Sequence, residues 1–111
     1  MLPELDVARA RRYCEQKVPA DARYQVRVEA EVDAHMVTIV ERRAPWCEDL
    51  GPEWTRSPIA RLGYVQRTGV WTLYWRDRNA RWHRYDRIGP SARIEVLLDE
   101  LDGDPTGIFW G

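Results

Sequence analysis

Between Arg61 and Arg87 the chain reads RLGYVQRTGVWTLYWRDRNARWHRYDR, in which Trp71, Tyr74, Trp75, Trp82, His83 and Tyr85 are interleaved with seven arginines. A guanidinium binds carboxylates and phosphates in fork geometry and stacks on aromatic rings, and an aromatic face accepts unpaired bases or other planar groups. On strands, successive side chains point to opposite faces. Residues of these types can therefore build a core on one side of a sheet and a platform for an anionic, planar or aromatic partner on the other. The chemistry on offer is recognition.

Catalytic types are sparse. His35 and His83 are the two histidines. His83 near Asp77 or Asp86 could form an oriented general base, the one route to a small enzyme, but a cross-strand histidine is more often simply hydrogen-bonded. Ser57 and Ser91 read as loop and cap residues, and Cys47 stands beside two acids that would raise its pKa. No catalytic residue is assigned. Cys14, Cys47, His35 and His83 come one apiece from distant segments, without the close pair a zinc site uses, and two widely spaced cysteines favour reduced thiols over a disulfide. The acids Glu48, Asp49 and Glu53, opposite Asp99 to Asp104, read as solvated loop charges rather than a cation site. Neither a metal nor a cofactor is expected.

The net charge of −1 conceals segregation. Residues 1–54 carry eight basic and eleven acidic side chains, residues 55–93 nine and two, and residues 94–111 none and five. The middle block is thus +7, and all but one of the chain's basic residues are arginine. A GC-rich genome would favour arginine over lysine whatever the function, yet it does not explain why the charges separate along the chain. No apolar run approaches a membrane span and the first residues lack the apolar region of a signal peptide, so a cytoplasmic location is expected.

The elements that must position these residues follow from periodicity. At 111 residues the chain suits one domain. A helix is predicted from Pro3, with Glu4 and Asp6 at its positive end, a stripe of Val7, Ala10, Cys14 and Val18 facing a core, and Pro19 ending it. From Arg23 the period becomes two, with Tyr24, Val26, Val28 and Ala30 on one face. A turn near Asp33 and Ala34 then leads to a second strand over 36–42, and a two-residue turn would set Ala30 against Val37 and Val28 against Ile39. Residues 44–60, rich in proline, read as a long connection anchored by Trp46 and Trp54. Three strands follow. A turn at Thr68-Gly69 would set Tyr64 against Leu73 and Leu62 against Trp75. At Asp77 to Ala80, with Asn79 able to take the left-handed conformation, an even loop pairs Trp75 with Trp82 and places Arg81, His83, Tyr85 and Arg87 beside Tyr74 and Arg76. A three-residue loop reverses that assignment, sending His83 and Tyr85 to the core and Trp82 and Arg84 outwards. Ser91 would cap a C-terminal helix with the stripe Ile94, Leu97, Leu98 and Leu101, closed by Gly103, its acidic end compensated by neighbouring arginines. The tail DPTGIFWG would dock through Ile108, Phe109 and Trp110. The expected fold is α+β, one domain over 1–111: N-terminal helix, mainly antiparallel five-stranded sheet built as a hairpin plus a three-strand meander, C-terminal helix and docked tail.

The strings VPADARYQVRVE, GPEWTRSPIA, WTLYWRDRNARWHRYD and DPTGIFWG carry a resemblance to a family of small bacterial proteins catalogued as a domain of unknown function, number three thousand and twenty-four. It covers nearly the whole chain and implies a shared fold, with no activity, ligand or catalytic residue to transfer. Ala80 departs from the family's pattern, in which a glycine after the turn asparagine is more typical.

The preferred functional reading is a non-enzymatic binding module or small regulatory subunit acting through a protein partner by its Trp/Arg-rich surface, with Trp46 and Trp54 as candidate loop contacts. An exposed apolar patch at Trp46, Trp54 or Trp110 would favour it. The alternative is RNA or single-stranded nucleic-acid binding on a sheet face bearing Arg67, Tyr74, Arg76, Arg81, His83 and Tyr85. No membrane partner is expected, and the oligomeric state stays open, a homodimer included.

Overall fold

The computed structural model describes residues 1–45 and 51–111. Helix α1 spans Glu4–Lys17, with Pro3 as its N-cap and the Val7 N–H bonded to the Pro3 carbonyl. Glu4 and Asp6 fill its first turn, where the dipole favours negative charge. Val7, Ala10 and Cys14 are buried and Val18 is the C-cap, because Pro19 cannot continue the helix. Strands β1 (Val26–Val32), β2 (Met36–Arg43), β3 (Ser57–Val65), β4 (Val70–Arg76) and β5 (Trp82–Arg84) follow, then helix α2 (Ile94–Gly103). The strands lie side by side in chain order and every neighbouring pair is antiparallel. The expected α+β architecture is met. Among the described residues, no helix is long and apolar enough to cross a membrane.

Both early hairpins are offset by two residues from the simplest reading. Ala30 faces Ile39 and Val28 faces Glu41, because β1 runs on to Val32. Tyr64 faces Trp71 and Leu62 faces Leu73, because the turn occupies four residues and Gly69 takes a left-handed φ of 67°. A shift of two leaves every side chain on its face, so the core assignment survives. The long connection is shorter than residues 44–60: β3 begins at Ser57 and contains Pro58. The ladder with β2 shifts register between Ile39 and Val40, an irregularity of the kind that lets a proline sit within a sheet.

Helices α1 and α2 cover one face only, over Val28, Val37, Ile39, Ala60, Leu62, Trp71 and Leu73. Trp71 is fully buried and its Nε1–H donates to Asp6 Oδ2 at 2.8 Å, fastening the start of α1 to β4. Ser91 does not cap α2 directly. It bridges Trp71 through the backbone and accepts the Arg93 N–H on Oγ, and the helix starts at Ile94. Nor does Gly103 close it: Gly103 is helical, and Asp104 takes the left-handed conformation at φ 39°. The Asp104 carboxylate accepts the Phe109 and Trp110 N–H groups, and Trp110 Nε1–H reaches the Leu101 carbonyl, so the tail docks as expected. The acidic end of α2 is compensated by Lys17 on Asp102 and Arg87 on Glu100. Lys17 Nζ also lies 4.5 Å from the Trp110 ring centre.

Candidate binding site on the outer sheet face

The β4–β5 turn decides which side chains reach the face without helices. Asp77 N–H donates to the Arg81 carbonyl and Ala80 N–H to the Asp77 carbonyl, leaving a loop of Arg78, Asn79 and Ala80 with Ala80 at φ 64°. This is the three-residue hairpin, a tight turn followed by one left-handed residue. The left-handed residue is Ala80, not Asn79. Asp77 fixes the loop: one oxygen accepts the Asn79 and Arg81 N–H groups, and the other lies 2.6 Å from His83 Nε2. These bonds hold its pKa down to about 2, the His83 contact being the largest cause.

The odd loop sets Trp75 against His83, Arg76 against Trp82 and Tyr74 against Arg84. The expectation that His83 and Tyr85 share a face with Tyr74 and Arg76 is thereby corrected. His83 stacks on Trp75 on the helix side, ring centres 4.6 Å apart. Tyr85 is buried against Phe109, and its hydroxyl donates to Glu100 at 2.7 Å. Burial first, and that carboxylate second, push its pKa up to about 12. Arg67 and Arg81 are exposed in the turns at the two ends of β4, ~20 Å apart for a strand of this length. Of the six candidates, Tyr74 and Arg76 remain together on the outer face.

Trp82, Arg84 and Arg61 join them. Arg61 lies opposite Tyr74 on β3, and its Cζ sits 4.4 Å from the Trp82 ring centre. Its Nε is buried without a hydrogen-bond partner. Tyr74 leans over Gly63, where a Cβ would meet its ring at 3.2 Å. A larger residue there would displace the ring, so the glycine seats the aromatic layer. Thr72 and Thr38 lie beneath, nearly buried although no helix covers them. Trp82 and Arg84 lie where the three-residue alternative places them. Arg61 could have been found from alternation along β3 once its partner was fixed.

The outer face divides electrostatically. On the β1–β2 half, Arg42 pairs with Glu29 and Glu31, Arg56 with Glu31, and Arg27 lies 4.4 Å from the Trp54 ring centre. Exposed pairs of this kind contribute little stability, ~0–1 kcal/mol each. The two carboxylates offset the charges of Arg42 and Arg56, and Arg56 in turn holds the Glu31 pKa below its ordinary value. On the β3–β5 half, Arg61, Arg76 and Arg84 make no ion pair with any described residue. Trp54 and Trp110 are half-buried rather than part of an exposed patch, and Trp46 lies outside the described residues. Burial raises the Cys14 thiol to about 12, removing it as a nucleophile at neutral pH. No cluster of three metal-ligating side chains occurs among the described residues.

Fold and site together define a five-stranded antiparallel meander backed by two helices, with one half of its free face cationic and aromatic. The chain belongs to the family described as a domain of unknown function (DUF3024), whose profile matches residues 2–111. The resemblance carried by the sequence strings thus holds across the chain. No curated protein matches it, and no solved structure does.

Proposed function

We propose that this chain is a non-enzymatic binding module whose β3–β5 outer face takes single-stranded nucleic acid, RNA in a cytoplasmic setting. The observation that carries the reading is the division of the face: among the described residues the arginines beside Tyr74 and Trp82 lack carboxylate partners, while Arg42 and Arg56 on the other half pair with Glu29 and Glu31. Arg61 backs one face of Trp82, which supports stacking of a base on the other, and Arg76 and Arg84 flank the rings for phosphates. A protein-binding reading is favoured less, because the described tryptophans form no exposed apolar patch.

The test is fluorescence anisotropy with labelled single-stranded RNA, single-stranded DNA and duplex DNA from low to physiological salt. The two arginine–phosphate contacts of Arg76 and Arg84 predict a slope of log K against log salt of about −1.4 for a single strand. Trp82→Ala should weaken binding by ~1–3 kcal/mol, the worth of one stacked base. Arg76→Ala/Arg84→Ala should flatten the slope, and Arg81→Ala, in the turn, should change little. No binding at low salt, or binding indifferent to Trp82, would end the proposal.

A further inference from the structure

Strand β1 ends the sheet, and no described residue pairs with its free side. Its ladder with β2 determines which backbone groups face outwards. Asp33 N–H donates to the Met36 carbonyl and Ala44 N–H to the Gln25 carbonyl. The odd-numbered residues therefore bond to β2, while the N–H and C=O groups of Val26, Val28, Ala30 and Val32 point away. Edge strands are usually blunted by a proline, a bulge, shortness or a projecting charge. β1 is seven residues long with no proline, and its register with β2 is unbroken. Its charged side chains are drawn inwards over the sheet, Glu29 to Arg42, Glu31 to Arg42 and Arg56, and Arg27 to Trp54. Beside the edge, a groove of about 160 Å³ opens between Val28 and the end of α1, floored by Cys14 and Val18.

We infer that β1 is a homodimer edge: two copies pair their β1 strands antiparallel about a twofold axis at Val28, joining both sheets into one. Charge selects this register. An axis at Arg27 or Glu29 sets that residue against its own copy, and an axis at Ala30 sets Glu29 against Glu31. Like charges directly opposite destabilise a ladder. An axis at Val26 runs most of each strand past its mate. With the axis at Val28, Arg27 faces Glu29 of the second copy twice over, Val26 faces Ala30, and the two Val28 side chains meet over the groove. Val28 and Ala30 also present their backbone groups outwards, as hydrogen-bonded pairs require. The same register brings Tyr24, 68% exposed, beside Val32, 38% exposed, covering two of the six exposed large apolar side chains among the described residues.

The test is sedimentation velocity over a concentration series, with circular dichroism to confirm folding of each variant. Wild type should form a dimer. Arg27→Glu should weaken association about tenfold or more by setting two acids face to face in each pair, and Arg27→Glu/Glu29→Arg should restore it. Amide hydrogen exchange of the unmodified chain gives a second reading, in which Val26, Val28 and Ala30 gain protection as concentration rises. A monomer throughout the series overturns the inference. So does a dimer indifferent to Arg27→Glu, which would place the interface elsewhere, or a charge swap that fails to restore pairing.

Discussion

The composition of the outer face depends on one backbone conformation, and a single methyl group reports it. Ala80 holds a φ of 64°, a region in which an L side chain crowds its own carbonyl at a cost of roughly 1–2 kcal/mol. Ala80→Gly relieves that crowding but restores about 0.5–1 kcal/mol of chain freedom to the unfolded state. The net gain should be about 0.5–1 kcal/mol, or a rise in Tm of about 2–6 °C for a domain of this size. Asn79 has no positive φ, so Asn79→Gly brings only the entropic penalty and should lower stability by about 0.5–1 kcal/mol. Thermal unfolding followed by circular dichroism measures both. An even-length turn would need its left-handed residue at Asn79 and would invert the two signs. If Asn79→Gly stabilises and Ala80→Gly does not, the register is wrong, His83 and Tyr85 return to the outer face, and the site must be redrawn.

Two further perturbations read the same register from its consequences. Tyr85→Phe removes a hydroxyl bonded to a carboxylate at 2.7 Å and should destabilise by about 1–2 kcal/mol in urea unfolding, leaving nucleic-acid affinity unchanged; a neutral effect would mean that the ring is not buried on Glu100. Asp77 titrates in the folded chain at about 2 against an ordinary 3.8, chiefly through His83. Its contribution to stability is therefore complete above about pH 4 and is lost as pH falls through about 2. Asp77→Asn should flatten the fall in stability over that window, and an unaltered acid limb would refute the bonding seen in the turn.

The legible parts of this fold were those governed by period. The α1 stripe, the helix-facing sides of β1 to β4 and the docking of the tail follow from spacings that tolerate a two-residue slip, and both early hairpins slipped by that amount without consequence. The third hairpin allowed no such tolerance, since one residue more or less in its turn inverts every side chain beyond it. Asp-Arg-Asn-Ala supports either length by residue preference, and the deciding contacts are made by the Asp77 carboxylate to Asn79, Arg81 and His83. Such contacts depend on coordinates rather than composition. The glycine that the family resemblance leads one to expect at position 80 was the available signal, because a three-residue loop places its left-handed residue there. The start of β3 was hidden for a different reason: Pro58 reads as a strand breaker unless the register shift opposite it is known.

Segregation of charge along the chain becomes segregation across the sheet. Pairing with the acidic C-terminal block could have neutralised the basic middle block, but α2 packs on the face opposite Arg61, Arg76 and Arg84. Of the nine basic residues in 55–93, Arg56, Arg87 and Arg93 make ion pairs, with Glu31, Glu100 and Glu95. The other six make none with a described residue. Arg87 and Arg93 lie beyond β5, where the chain has already turned back towards the helices, whereas no arginine on β3, β4 or β5 pairs with a described residue. A sheet between the two blocks keeps the acids of α2 from discharging the arginines. The whole-chain pI of 6.1 averages over both sides and so understates the field that an anionic partner would meet at Trp82.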